Sequence, residues 1–375
     1  MNQDSTQQKL ARIERRAHEL GFDGFGVADP DVGSAGLRFQ KWLDDGFDGT
    51  MAYMKRGEDK RLDLNQVLPG VRSVLCLRMN YFTVPKSLDF LQDRLTGDIS
   101  SYALDLDYHD VMTPRLQQLE ETLLAEFPEC RTKRYVDTGP VLEKPLAQKA
   151  GLGWIGKHTN LLTEGLGSWY FLAEILIDVD LPRSRPAVDH CGTCESCIDI
   201  CPTRAIVAPY VLDSRKCISY LTIELKGVIP VEFRKAIGNR IYGCDDCQIV
   251  CPWNSYAVPT DEAVYQERQE TRLLIDLMRL DEEGFRARFR NSPVKRIKRR
   301  GLLRNVAVAL GNSGDPAAAP VLTAALQDAE PLIRAHAVWA LAELLGDSAL
   351  PLFETHLAEE SDLDVLREIE LVKTH

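Results

Sequence analysis

The chain has 375 residues and a formal net charge of −11 at pH 7, and this length suffices for two or three domains that each bury a core. The acidic average argues against nucleic acid as a general partner. No run of about eighteen apolar residues could span a bilayer, and the first residues lack the basic start and apolar centre of a secretory signal. We therefore expect a cytoplasmic protein that contacts no membrane.

Residues 1–182 predict a mixed α/β domain, because helical and strand periodicities alternate along them. An amphipathic helix from about Ser5 to Leu20 should end at Gly21, a typical C-terminal stop. Further strands and helices are expected at Gly24–Ala28, Val71–Met79, Val111–Phe127, Thr132–Asp137, Glu143–Ala150 and Trp169–Ile177.

Asp137 is a candidate proton donor in Val136-Asp-Thr-Gly-Pro140. A Gly-Pro turn can aim a carboxyl group into a cleft, where partial burial raises its pKa and suits it to proton donation. An aspartate before a turn is, however, more often a turn-capping residue. The residues alone leave both roles open.

A glycine pattern, Gly151-Leu-Gly-Trp-Ile-Gly156, matches the G-x-G-x-x-G of dinucleotide-binding proteins. That fingerprint requires a strand before it and a helix that opens on it, whereas here it follows a predicted helix. We expect these glycines to let the backbone pass close to another element or to a flat ligand.

Residues 183–258 contain two cysteine runs that predict iron–sulfur binding. The first is Cys191-Gly-Thr-Cys194-Glu-Ser-Cys197-Ile-Asp-Ile-Cys201-Pro202, and the second is Cys244-Asp-Asp-Cys247-Gln-Ile-Val-Cys251-Pro252. In the bacterial pattern C-x2-C-x2-C-x3-C-P, the cysteine before proline binds the other cluster. The second run lacks one ligand, which Cys217 can supply. We assign one [4Fe-4S] cluster to Cys191, Cys194, Cys197 and Cys251, and the other to Cys201, Cys217, Cys244 and Cys247.

Zinc is the main alternative ligand, because C-x2-C pairs also hold structural zinc. The third cysteine of each run and the two Cys-Pro steps favour the ferredoxin pattern instead. A disulfide framework is disfavoured because this is not a short secreted chain. We expect the clusters to supply much of the folding free energy of this ferredoxin-like domain.

Residues 259–285 are expected to form a linker, and residues 286–375 a helical tail. In the tail, the run Arg304-Asn-Val-Ala-Val-Ala-Leu310 recurs as Arg334-Ala-His-Ala-Val-Trp-Ala-Leu341, and a Gly-Asp turn follows each copy. A period of about thirty residues in alanine-rich helices is typical of HEAT-like pairs. The overall prediction is therefore an α+β chain that ends in HEAT-like α-helical repeats. An inert helical cap is the alternative for the tail.

A basic run from Arg286 to Arg304 contains no acidic residue. Such a patch on an acidic protein is the electrostatic footprint of a polyanion, most commonly a phosphate backbone. The alternative is a solvated helix face. The candidate phosphate-binding residues are Lys295, Arg296, Lys298, Arg299, Arg300 and Arg304.

Two clusters deliver single electrons, so the first domain must hold or meet an acceptor. A flavin, a corrinoid and an external partner are all possible. The histidine signature D-x-H-x-x-G of some corrinoid proteins is absent, because Asp107-Tyr-His109 continues with Asp-Val-Met112. A corrinoid bound here would therefore be base-off without that ligand.

Taken together, several motifs of the chain resemble those of the epoxyqueuosine reductase family. They are the cluster motif, the HEAT-like tail, Asp107-Tyr-His109, Val136-Asp-Thr-Gly139, Ala150-Gly-Leu-Gly-Trp-Ile-Gly-Lys157, Cys217-Ile-Ser-Tyr-Leu-Thr222 and Ile237-Gly-Asn-Arg-Ile-Tyr-Gly-Cys244. The resemblance covers essentially the whole chain. It implies an enzyme that removes the epoxide oxygen of epoxyqueuosine at the wobble position of tRNA, the last step of queuosine biosynthesis.

The resemblance also implies cofactors and residue roles. Base-off cob(II)alamin would lie between the first domain and the cluster domain, the clusters would reduce it to cob(I)alamin, and Asp137 would be the proton donor. Relatives often have an arginine where this chain has Ser101, which leaves the contacts of that loop open. The expected corrin contacts are Arg61, Ser100, Asp137, Leu161, Leu172, Ser219, Lys226 and Asp245.

The expected partners are the anticodon arm of tRNA and an external electron donor, and we expect a monomer. Two other functions compete with this one. A corrinoid reductase of another substrate, such as a reductive dehalogenase, also couples a corrinoid to two clusters. A ferredoxin-type electron carrier would bind no cobalamin and would leave the first 182 residues without a task.

Overall fold

The computed structural model describes residues 3–265 and 272–374 and confirms an α+β fold with a helical C-terminal tail. Within these ranges no helix combines the length and the apolar character needed to cross a bilayer. The α-helices are α1 (Gln3–Glu19), α2 (Ser34–Asp44), α3 (Ala52–Arg56), α4 (Glu58–Leu62), α5 (Tyr108–Glu126), α6 (Glu143–Lys149), α7 (Ser196–Asp199), α8 (Val231–Ile237), α9 (Asp246–Ile249), α10 (Leu274–Met278), α11 (Glu282–Arg288), α12 (Lys298–Ser313), α13 (Ala319–Ala325), α14 (Pro331–Leu345), α15 (Leu350–His356) and α16 (Leu363–Thr374).

The strands include the four predicted from periodicity in the first domain, with bounds shifted by a few residues. They are β1 (Gly24–Ala28), β2 (Ser73–Asn80), β3 (Asp98–Ile99), β4 (Thr132–Tyr135), β5 (Trp154–Ile155), β6 (Leu161–Leu162), β7 (Tyr170–Ile177), β8 (Ile206–Ala208), β9 (Val211–Leu212) and β10 (Arg240–Tyr242). Because β4 ends at Tyr135, Asp137 lies in the loop after the strand and not on it.

An antiparallel sheet with strand order β1-β2-β7-β4 forms the centre of the first domain. Helices α1 and α5 cover one face, and α6 covers the other. Since both faces are packed, β2 is buried along almost its whole length instead of alternating between buried and exposed residues.

The glycine pattern after α6 serves close packing, as its context predicted. A Cβ atom on Gly153 would lie 2.1 Å from the carbonyl oxygen of Leu162, so a side chain there would collide with backbone. Glycine therefore allows the chain to turn directly into the pair formed by β5 and β6.

The helical tail and the cysteine-containing residues 183–258, the cluster-binding segment, share one apolar core. Ile218 and Tyr242 of the cluster-binding segment are buried in the same hydrophobic core as Leu302 and Val338 of the tail. Helix α14 packs on α12 and on α16. A Cβ on Gly311 would lie 2.8 Å from the ring of Trp339, so glycine lets α12 approach α14 closely.

The segment expected as a linker contributes to the packing. Tyr265 is buried against the first domain, and Leu274 and Leu277 are buried against the tail. Residues 266–271 of this segment lie outside the described residues. The buried side chains on either side anchor the segment to two cores.

Candidate active site

A cavity of about 280 Å³ lies where the first domain meets the cluster-binding segment. Among the positions predicted to contact a corrin, those that line it are Ser100, Asp137, Leu161, Leu172 and Ser219. The other lining residues are Tyr81, Tyr102, Tyr108, Glu143, Lys144, Asn160, Ser168, Tyr170, Phe171, Cys244 and Gln248. These positions are far apart in the sequence, and the fold brings them together around one cavity.

Asp137 is held at this cavity by three neighbours. The hydroxyl of Tyr108 donates to Asp137 Oδ2 at 2.8 Å, and His109 Nε2 lies 3.6 Å from the same oxygen, at ion-pair distance. The backbone N–H of Asp137 donates to Glu143 Oε1 at 2.8 Å. The loop after β4 therefore presents the carboxylate next to a phenol and an imidazole.

The charges at Asp137 favour a carboxylate–imidazolium pair at neutral pH. Burial alone would raise the pKa of Asp137, but His109 and Tyr108 outweigh it and lower this pKa. Burial likewise disfavours charge on His109, but its contacts with Asp107 and Asp137 raise its pKa to about 9. The proton of this pair thus rests on His109, within reach of Asp137.

The sequence by itself indicated no role for Tyr108 or for His109. Asp107 is the N-cap of α5, where its carboxylate accepts the backbone N–H of His109 at 3.1 Å. It also contacts His109 Nδ1 at 2.8 Å. The N-cap signature was the available signal, because it fixes both side chains at the helix start, beside the cavity.

Three predicted corrin contacts, Arg61, Lys226 and Asp245, do not line the described cavity. Arg61 is buried, and its guanidinium lies over the ring of Phe39, 6.0 Å from its centroid. Lys226 donates to the carbonyl oxygen of Ile223 at 2.9 Å.

Asp245 does not line the cavity, and its carboxylate already accepts hydrogen bonds from other residues of the chain. It accepts hydrogen bonds from Ser100 Oγ at 2.5 Å and from the backbone N–H of Ser101 at 2.8 Å. Lys86 Nζ lies 3.1 Å from it. These bonds indicate that Asp245 positions the loop that carries Ser100, in place of the direct contact expected from sequence.

The cysteines assigned to the first cluster surround one space. Cys191, Cys194, Cys197 and Cys251 all line a cavity of about 560 Å³. Each cysteine of the described ranges is a free thiol. The four cysteines that spacing grouped together therefore face one cavity.

The other four cysteines form a second group, and all four are partly buried. Cys217 and Cys201 both act on Cys247 electrostatically, and Cys247 acts on Cys244. Burial raises the pKa of Cys244 and Cys247 well above the ordinary value. Cys244 also lines the cavity that contains Asp137, and Cys197 of the first group acts on Cys247 electrostatically. The second group is therefore close to both the first group and that cavity.

The basic run lies beside the same cavity but is not uniformly available to a ligand. Lys295 lies 3.1 Å from Asp107, Arg296 lies 2.6 Å from Glu224, and Arg299 forms an ion pair with Asp328. Lys298 and Arg300 are exposed. Arg296 also lies close enough to Asp137 to lower its pKa.

Arg304 does not belong to this surface, which corrects the sequence prediction. It is 1% exposed, and its guanidinium donates to the backbone carbonyl oxygens of Leu221, Leu225 and Gly227. Its bonds tie α12 to the segment that follows Cys217. Phosphate could not reach it without breaking them.

Three protein families match parts of the chain. The family described as "Epoxyqueuosine reductase QueG, DUF1730" matches residues 61–138. The family "4Fe-4S double cluster binding domain" matches residues 190–254, and "HEAT repeats" matches residues 300–372. These matches support the two-cluster assignment over zinc and the HEAT-like assignment of the tail.

Relatives that match most of the chain include named epoxyqueuosine reductases. The epoxyqueuosine reductase of Xanthomonas campestris pv. campestris is 45% identical over 338 residues, which covers 89% of this chain and 95% of the relative. A crystal structure of an epoxyqueuosine reductase with an epoxyqueuosine-modified tRNA-Tyr stem loop is 30% identical, with a TM-score of 0.88 over 98% of this chain and 100% of that one.

A third relative, the epoxyqueuosine reductase of Bacillus subtilis, is 29% identical. Its TM-score is 0.88, with coverage of 98% of both chains. In that structure the catalytic loop, which is named for an aspartate, is swung out of the active site. From its sequence identity and its fold, the present chain belongs to the epoxyqueuosine reductase family and is an oxidoreductase.

Proposed function

We propose that this enzyme reduces epoxyqueuosine to queuosine at the wobble position of tRNA, with two [4Fe-4S] clusters, base-off cobalamin and Asp137 as proton donor. The observation that carries the proposal is the cavity of about 280 Å³, which is lined by both Cys244 and Asp137. A source of electrons and a source of protons would thereby face one substrate.

The thiol groups suit two cubane clusters. Each group contains four cysteines, the number of thiolates that a [4Fe-4S] cluster takes. Cys194 is exposed, so an external electron donor would reach the first group from solvent. Cys244, at the cavity, would be the exit point for electrons.

The cavity lining suits a corrinoid. Leu161, Leu172 and Phe171 offer apolar contact to a flat macrocycle, and the hydroxyls of Ser100 and Ser219 can bond to its amide substituents. Bound there, cobalamin would supply a strongly reducing cobalt centre, and the clusters would supply it with single electrons.

The protein's own part in the reaction is to hold the substrate and deliver protons. Two electrons and two protons convert the epoxide into an alkene and water. The proton on His109 can pass to Asp137 Oδ2, from which it reaches the departing oxygen, while Tyr108 keeps that carboxyl group oriented. By analogy with the Bacillus relative, the loop that carries Asp137 would move between an inward and an outward position.

The exposed part of the basic run would bind tRNA. Lys298 and Arg300 are exposed near the cavity, and Arg300 and Arg296 are close enough to Lys226 to lower its pKa. Phosphate contacts of this kind position an RNA without reading its sequence. The modified base would be recognised after it is splayed into the cavity.

Replacing Lys298 and Arg300 with alanine should weaken tRNA binding and its salt dependence. If each residue contacts one phosphate, the slope of log affinity against log salt falls in magnitude by about 2. The measurement is a fluorescence titration with anticodon stem loop at several salt concentrations. Arg367→Ala with Lys373→Ala removes two exposed charges from α16 as a control. Equal slopes for both double variants would assign the basic run to another partner.

The experiment that tests the function starts from anaerobic enzyme with reconstituted clusters and cobalamin. It is incubated with a reductant and with tRNA bearing epoxyqueuosine, and the nucleosides are identified by mass spectrometry. We expect queuosine to form. If cobalamin binds but no queuosine forms, the chain reduces another substrate, and failure to bind cobalamin would leave the electron-carrier function.

A further inference from the structure

We propose that Glu143 and Glu174 are positioning residues that hold the Asp137 loop at the cavity. Glu174 is neutral and donates its proton to the carboxylate of Glu143, which in turn accepts the backbone N–H of Asp137. The inference rests on the proposed role of Asp137 as proton donor, and it gives a physical account of what keeps that side chain in place.

The Asp137 loop needs such a restraint because its backbone is strained. Asp137 has a φ of 56°, in the left-handed region that costs energy for a residue other than glycine. Its N–H donates to Glu143 Oε1 at 2.8 Å. Glu143 is the first residue of α6, so this single bond ties the loop to the start of a helix that packs on the central sheet.

Glu174 lies on the face of the sheet that carries α6. Side chains alternate along a strand, so Glu174 on β7 points to the same face as Leu172 and Leu176, which is the face that α6 covers. Glu174 pairs with Cys76 on one neighbouring strand and with Tyr135 on the other. It is 0% exposed, and among the described residues no donor lies within hydrogen-bonding distance of either carboxyl oxygen.

The carboxyl groups of Glu143 and Glu174 are close enough for each to shift the pKa of the other. Two ionised carboxylates cannot hydrogen-bond to each other, and an isolated buried charge is costly, so one of the two must carry a proton. Burial raises the pKa of Glu174 well above its ordinary value, whereas the pKa of Glu143 is raised only to about 7. The proton therefore belongs on Glu174.

The groups around the pair support this assignment. The backbone N–H of Asp137 and the charge of Lys144 favour the ionised form of Glu143. Arg61 also interacts with Glu143 electrostatically. Glu143 also interacts electrostatically with Tyr108 and Cys76, and burial is the main cause of the raised pKa of each. The carboxylate of Asp137 acts in the opposite direction and raises the pKa of Glu143, but Glu143 also has cationic neighbours, whereas the charged groups that act on Glu174 are the carboxyl groups of Glu143 and Asp137.

The test compares Glu174→Gln with Glu174→Leu. The glutamine amide can still donate to Glu143, so this variant should retain kcat to within a few fold, whereas leucine should lower kcat by about 10²-fold through misplacement of the acid. Glu143→Ala should behave like Glu174→Leu. Unchanged KM for tRNA and unchanged cluster and cobalamin spectra will show that the leucine variant is folded and loaded. A glutamine variant as impaired as the leucine variant would overturn the proposal.

Two measurements separate this inference from the proposed function. Hydrogen exchange of residues 136–140 should be faster in Glu174→Leu and Glu143→Ala than in wild type, and unchanged in Glu174→Gln. The infrared band of a protonated carboxylic acid should disappear in Glu174→Gln. If exchange is unchanged in all three variants, the inference fails whatever the activity. If exchange responds as expected but Asp137→Asn is fully active, the restraint stands and the role of Asp137 fails.

Discussion

Replacing Asp137 with asparagine is expected to lower kcat by roughly 10² to 10⁴ fold, the usual contribution of a positioned general acid. Asparagine keeps the shape of the side chain and can still accept the hydroxyl hydrogen of Tyr108, so the loop and the bound cofactors should be retained. The measurement is single-turnover conversion of epoxyqueuosine in tRNA, with cobalamin occupancy determined from the absorption spectrum.

The control for this substitution is Asp178→Asn, which removes a carboxylate that follows β7, does not line the cavity and pairs with Arg131 at 2.8 Å. It should leave kcat unchanged. The pH profile provides a second check. His109, with a pKa raised to about 9, holds the proton of the pair, so kcat should fall as pH rises through that value. Wild-type turnover by Asp137→Asn would assign the proton to another group.

Replacing Arg234 with methionine is expected to destabilise the tail by about 3–5 kcal/mol, because it leaves a buried carboxylate without its partner. The guanidinium of Arg234 is 0% exposed and donates to both carboxyl oxygens of Glu368, at 2.8 and 2.5 Å. It also donates to the carbonyl oxygen of Ile229 at 2.8 Å. This pair joins α8 of the cluster-binding segment to α16, the last helix of the chain.

Hydrogen exchange over residues 363–374 measures this effect locally, and urea denaturation measures it globally. Glu368→Leu alone should also destabilise, because it leaves a buried guanidinium. The double variant Arg234→Met with Glu368→Leu should recover most of the loss, since no buried charge remains unpaired. Losses that simply add in the double variant would show that the two residues do not act as a pair.

The sequence alone determined the features that depend on local spacing. The cysteine runs predicted two groups of four ligands, because the turns of a cluster-binding loop fix the separation between successive thiolates. The period of the tail predicted HEAT-like helices, since each repeat must bury the same face. The joint set of short motifs indicated the family, which the relatives confirm.

Only the tertiary structure decided which side chains meet and which are buried. Arg300 and Arg304 lie one turn apart on α12, yet Arg300 is exposed whereas Arg304 is covered by the segment after Cys217. No local pattern distinguishes them, because burial depends on what packs against the helix.

The same reason applies to the active site. In the sequence, Glu174 is a single acidic residue within an apolar strand, and Glu143 is an ordinary acidic residue at the start of a helix. Their proposed role in positioning Asp137 becomes visible only when β7 and α6 pack together and the loop after β4 contacts Glu143. A contact between residues far apart in the chain has no signature in either residue's neighbours, so the restraint on Asp137 could be found only in the folded molecule.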